Sequence, residues 1–250
     1  MALQPIKYGL LIFLILNCIS GYSSANVPVP IDSVDYKKIQ HKKLRKLITI
    51  QKESGIHTFD EINTVCYNAP DSADYHTYEK VQVIRQDIDV VWNKLVHQSP
   101  SDEFDGRIVT FGFLYSKPYQ NLIYKNEAIS GIEEGQILFF NLRMLYGIKN
   151  LAVALEVTRL DHEAKIIEYC YMDHGDTKGT QKFLLQQTPD GNTIIKQITK
   201  YKCHSRLRDR RLYSFFHERI VKEFFKNIKS KSEYDEFTGI PVVKATLTIQ

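Results

Sequence analysis

The feature that most narrows what this chain can fold into is a row of five strand-like runs joined by short links. The runs occupy residues 136–142, 152–160, 165–172, 180–187 and 193–202. Asp161-His162-Glu163, Asp173-His174-Gly175-Asp176 and Thr188-Pro189-Asp190-Gly191-Asn192 join the last four. The last link places Pro and Gly where a type I turn and its following left-handed residue want them. Parallel neighbours need a crossover of a dozen or more residues, so these runs must form an antiparallel meander. A long amphipathic helix then follows over residues 210–228. Leu212, Phe216, Ile220, Phe224 and Ile228 recur every fourth place, and Phe215, Val221 and Phe225 widen the stripe. Such a stripe needs a large apolar surface to cover.

Upstream, residues 80–88 alternate as a strand, and Asp89 is placed to cap a short helix over 90–97 whose apolar side is Val91, Trp92, Leu95 and Val96. Residues 107–115 read as a further strand, with Gly112 marking a bend or bulge, and 119–127 as an edge segment. The fold class is therefore α+β: a curved antiparallel sheet of about seven strands around a long C-terminal helix, with an extra N-terminal helical segment. The expected division is 1–25 signal peptide, 26–78 linker and basic helical segment, 79–230 main domain, and 231–250 tail with a last strand at 242–248.

The last hairpin permits a finer expectation. If Thr188 faces Asn192, then Phe183 faces Gln197, Leu185 faces Ile195, and Gln181 faces Thr199. Side chains alternate along a strand. Phe183, Leu185, Ile195, Gln197, Thr199 and Tyr201 therefore share the face turned to the long helix, and Lys196, Lys200 and Lys202 face water. Gln181, Gln197 and Thr199 are polar groups on a core face, where an unpaired group costs about 1–3 kcal/mol. They either bond to one another or line a wet or ligand-filled cavity. The same register puts Cys203 across from Thr177 and separates it from Cys170 by more than disulfide reach.

The chain opens with Lys7, an apolar run over 9–16 and no charge from Tyr8 to Ser24, followed by Ser23-Ser24-Ala25. This is the layout of a cleavable export signal cut after Ala25, and the run is short for a membrane span. Lipid attachment at Cys18 is disfavoured by Asn17, where a small residue is wanted. An exported chain permits disulfides. Three cysteines follow the cut, Cys66, Cys170 and Cys203, so at least one is left out of any intrachain pair. The net charge is +4 over 250 residues, too mild to imply a nucleic-acid partner.

No GxSxG, HExxH, Walker-type or GxGxxG pattern occurs, and no cofactor or metal is expected. Asp173, His174 and Asp176 share one polar turn, where such residues serve local hydrogen bonds. Lys37, Lys38, Lys42, Lys43, Arg45, Lys46 and Lys52 sit in a stretch without acids. That stretch is a solvated helix packed on the domain by a thin apolar edge, or a peripheral contact with an anionic membrane surface over 37–52. A second basic run, from Lys200 to Arg211, offers Arg206 and Arg208 as contacts for a carboxylate or phosphate. Glu168, Tyr201 and His217 are the candidate acid–base groups, with no spacing that demands chemistry.

The strand entering Val90-Val91-Trp92-Asn93-Lys94-Leu95, the hairpin carrying Gly179-Thr180-Gln181-Lys182-Phe183 and Asp190-Gly191-Asn192-Thr193, and the aromatic last helix resemble the START-like (SRPBCC, Bet v 1-like) superfamily. Gly179, Phe183 and Asp190-Gly191 are also similar to its DUF1990 branch. The resemblance covers about 150 residues. It implies a helix-grip fold with a hydrophobic pocket between sheet and helix, and no particular chemistry. On that basis the expected partner is a hydrophobic or amphipathic, lipid-like small molecule. Its lining would be Phe183, Leu185, Ile195, Gln197, Thr199 and Tyr201 from the sheet, with Phe216, Ile220, Phe224 and Arg208. The alternatives are an enzyme of cyclase or hydrolase type on the same fold and an envelope interaction protein using the basic N-terminal segment.

Overall fold

The structure, a computed structural model, describes residues 27–104, 106–144, 147–203 and 213–233. The expected signal, Cys18, Arg206, Arg208 and the strand at 242–248 lie outside them. The meander is present as β5 (Gln136–Met144), β6 (Lys149–Asp161), β7 (Ile166–Met172), β8 (Thr177–Gln187) and β9 (Thr193–Cys203). Upstream of it lie β1 (Thr64–Val65), β2 (His76–Ile84), β3 (Val109–Ser116) and β4 (Asn121–Tyr124). All pairings are antiparallel, in the order β2-β9-β8-β7-β6-β5-β3-β4, with β1 added against β7. The described residues form nine strands where about seven were expected, and the architecture is the expected α+β one: a curved antiparallel sheet gripped by a C-terminal helix.

The helices are α1 (Lys42–Glu53), α2 (Ile88–His97), the short α3 (Pro100–Glu103) and α4 (Ser214–Glu233). α2 starts earlier than expected because Asp87, not Asp89, is its cap: the Asp87 carboxylate accepts the Asp89 N–H at 2.9 Å. Most helical stability in a protein comes from packing of an amphipathic face rather than from propensity, and packing holds α4. Val221, Phe224, Phe225 and Ile228 bury against Phe111, Phe140, Tyr169 and Phe183 of the sheet and Trp92 of α2. Full burial of one such side chain contributes about 1.5–3 kcal/mol. Polar bonds fix the same half of the helix. The Glu223 carboxylate accepts the backbone N–H groups of Arg107, Ile108 and Val109 at 2.9–3.0 Å, and Glu233 accepts that of Arg85 at 2.7 Å.

The N-terminal segment, expected as a linker and a basic helix packed on the domain by a thin apolar edge, packs more broadly than that and forms a second covering layer. Ile31, Val34, Ile39, Leu44, Leu47, Ile48, Phe59 and Ile62 pack on the opposite face of the sheet against Phe113, Tyr115, Ile137, Phe139 and Met172. The physical reason lies in β3 and β5. Every residue of β3 is buried, and so are the first six of β5, because both faces of these strands are covered. A bulge at Gly112 makes the double coverage possible. The β3–β5 register slips between Phe111 and Phe113, so Phe111 enters the core beneath α4 while Phe113 enters the one beneath α1. A Cβ on Gly112 would sit 2.3 Å from Leu44 Cδ1 and 3.1 Å from the Phe139 carbonyl oxygen. Glycine is therefore what lets α1 approach. Cys66 and Cys170 form a disulfide across β1 and β7, with Cα atoms 4.8 Å apart. Cys203 is a buried thiol next to Thr177.

Candidate functional site

Strand lengths open the cavity. β7 ends at Met172, while β6 continues back to Lys149. Residues 149–154 of β6 consequently pair with β5 alone. The gap beside this open edge is about 410 Å³ and reaches both covering layers. Leu142, Leu151, Val153 and Leu155 line it from the sheet, Phe216 and Ile220 from α4, Leu47 and Ile50 from α1. Several of these are only half-buried, which leaves apolar surface turned to the empty space. That size falls at the small end of the usual range for ligand pockets, about 300–1,000 Å³.

One wall is polar. The Gln181 amide donates to the Tyr171 hydroxyl at 2.8 Å, and the Tyr171 and Tyr213 hydroxyls are 2.5 Å apart. Tyr213 stacks on Tyr201 with ring centres 3.6 Å apart, and on His217 at 5.0 Å. His217 Nε2 meets the Thr199 hydroxyl at 3.2 Å, and Thr199 in turn accepts from the Gln197 amide. Tyr201 bonds Ser214 at 3.1 Å. Among the described residues, His217 Nδ1 and Gln197 Oε1 make no hydrogen bond. Burial pushes the Tyr171 and Tyr213 hydroxyls up from their ordinary value and pulls the His217 imidazole down to about 3. Near neutral pH the wall therefore presents neutral hydroxyls, an amide and a neutral imidazole. Such groups offer hydrogen bonds without charge.

The structure divides the predicted residues. Gln181, Phe216, His217 and Ile220 line the cavity. Phe183, Leu185, Ile195, Gln197, Thr199, Tyr201 and Phe224 are on the expected inner face but fill the core next to it. The polar core residues thus follow both expectations: Gln197 and Thr199 bond to each other and to His217, while Gln181 reaches the cavity. Glu168 is on the opposite face of the sheet, with Lys182 at 2.9 Å and Arg159 at 3.9 Å, so it does not meet Tyr201 or His217. Asp173 accepts the His174 N–H and pairs with Lys178 at 3.3 Å. Among the described residues, no three His, Cys, Asp or Glu side chains are grouped to hold a metal ion.

Sequence reasoning missed Tyr171, Tyr213, the β5–β6 aliphatics and the α1 wall. The signal for the last was available: Lys43, Lys46, Leu47 and Ile50 have the i, i+3, i+4, i+7 spacing of one helix face. Of the basic N-terminal residues, Lys38 pairs with Glu127 and Lys52 with Asp32, at 2.7 and 2.6 Å. Lys43 and Lys46 border the cavity. No described helix is long and apolar enough to cross a membrane.

No protein-family model and no curated protein matches this sequence. Several solved structures are similar in shape. The Zhui aromatase/cyclase from Streptomyces sp. R1128 has a TM-score of 0.47 at 11% identity, covering 64% of this chain and 94% of its own. Major latex-like protein 151 from Panax ginseng has a TM-score of 0.45 at 8% identity, covering 62% and 95%. Ara h 8.0201 has a TM-score of 0.43 at 15% identity, covering 63% and 97%.

Proposed function

We propose that this is an exported protein that binds one hydrophobic or amphipathic small molecule in the cavity beside the open edge of β6. The carrying observation is the cavity itself: about 410 Å³, aliphatic and aromatic on most sides, with a short polar wall at Tyr171, Tyr213 and Gln181. A few placed polar groups in an apolar cleft are the usual design of a small-ligand site. The volume suits a single-chain or few-ring molecule and is too small to hold a two-chain lipid whole. Export is supported by the charge-then-apolar pattern of residues 7–16 and by the Cys66–Cys170 disulfide, a bond that persists in oxidising compartments.

The test is native mass spectrometry of the full chain produced with its own export route, followed by organic extraction and titration with a neutral fluorescent lipid probe. A stoichiometric adduct or saturable uptake is expected. Ile220→Arg, which puts a cation among the aliphatic lining, should abolish it, with cooperative thermal unfolding retained as the check that the chain still folds. A clean mass with no uptake by the unmodified chain would overturn the reading. Proton transfer is less well served: His217 is pulled far below neutrality and Glu168 is on the other face.

A further inference from the structure

We propose that the cavity selects an anionic amphiphile, its hydrocarbon body inside and its carboxylate or phosphate held at the mouth by Lys43, Lys46 and Lys149. The inference rests on the binding role proposed above and deepens it. α1 turns one face to the cavity, and that face is graded. Lys43 and Lys46 come first along the helix, then Leu47 and Ile50. Lys149, at the start of β6, borders the same opening.

None of the three lysines has an ion-pair partner among the described residues, in contrast to Lys38 and Lys52 of the same segment. Three like charges around one opening repel one another when it is empty, and an anion placed among them relieves that repulsion. Asp176 and His174 also border the cavity, so among the described residues the mouth carries three cations against one carboxylate. The first turn of α1 has no acid, and the helix dipole there adds to the positive field. An ammonium is a compact charge without bidentate geometry. The site should therefore recognise charge more than head-group shape.

The experiment uses the full chain and displacement of a neutral fluorescent lipid probe by three ligands of equal chain length: a fatty acid, a monoalkyl phosphate and a fatty alcohol. Both anions should bind about tenfold more tightly than the alcohol, a margin that three exposed charge contacts together can supply. Raising the salt to about 1 M, where the screening length is about 3 Å, should narrow it. In a Lys43→Gln/Lys46→Gln/Lys149→Gln variant the margin should vanish while the alcohol binds as before. The order of fatty acid and alkyl phosphate identifies the preferred head group. An unchanged margin in the variant overturns the proposal and leaves the cavity reading standing. Failure of all three ligands to bind the unmodified chain overturns both. Loss of binding to phosphatidylglycerol vesicles in the variant, with the soluble margin intact, assigns the lysines to a membrane surface and overturns it as well.

Discussion

His217 offers a direct measure of how dry the interior beside the cavity is. Its ring is 5% exposed, stacked on Tyr213, edge-on to Tyr78 and bonded to Thr199. Burial disfavours the charged imidazolium and takes the ring from its ordinary 6.5 down to about 3. The sign follows. Below pH 6.5 the unfolded chain takes up a proton that the folded chain refuses, so stability falls as pH falls, and the fall ends near pH 3. Each pH unit in that window is worth about 1.4 kcal/mol, which makes the loss about 3 kcal/mol between pH 7 and 4.5. His217→Phe keeps the ring and removes the titration. It forfeits the bond to Thr199, about 1 kcal/mol at neutral pH. Urea unfolding at pH 7 and pH 4.5 should show the wild type losing about 3 kcal/mol more than the variant, since the rest of the chain is common to both. Parallel losses, within about 0.5 kcal/mol, would show that water from the cavity reaches the imidazole, and the argument for a dry wall would fail.

Three further outcomes follow from the packing. Gly112→Ala should cost about 1–3 kcal/mol in urea unfolding, because its Cβ meets Leu44 and the Phe139 carbonyl oxygen, and it should weaken probe uptake by loosening the α1 wall. Cys66→Ser removes a cross-link over 104 residues and should cost up to about 4.7 kcal/mol in the absence of reductant; a loss below about 1 kcal/mol would mean that the strands hold β1 without it. Glu103 is buried beneath α4 and its carboxyl is pushed well above the usual carboxylate range by that burial. Stability from this site is present below the ordinary carboxylate pKa and is lost as pH rises, so Glu103→Gln should be more stable than the wild type at pH 8, with the difference shrinking toward pH 4 in paired thermal melts.

How much of this was legible depends on the range of the interaction. The β8–β9 hairpin was readable to the residue, because a short turn sets the register and alternation then assigns every side chain a face. Phe183 opposes Gln197 and Leu185 opposes Ile195 as expected. The bulge at Gly112 was visible for the same local reason. The second covering layer was read only as a helix packed by a thin apolar edge, although β3 and β5 carry apolar residues on both faces, a pattern that calls for a full second cover. The cavity was placed too near β8 and β9. Its true position depends on how far β6 runs past the end of β7, and no periodicity reports a difference in strand length. The Cys66–Cys170 bond was likewise out of reach, since it requires that β1 sit beside β7.

The two helical walls of the cavity come from opposite ends of the chain. α1 is made early in synthesis, but the strands that receive it, with Gly112 and Phe139, come roughly 70 to 95 residues later, and α4 is the last of the described elements. A chain that lacks either helix therefore lacks a wall of the cavity, and the ligand proposed above would find a complete site only once both helices are in place. Because a ligand that binds only the closed form stabilises it by mass action, occupancy would mark completed molecules and set them apart from truncated or half-assembled ones, which have nothing to hold it.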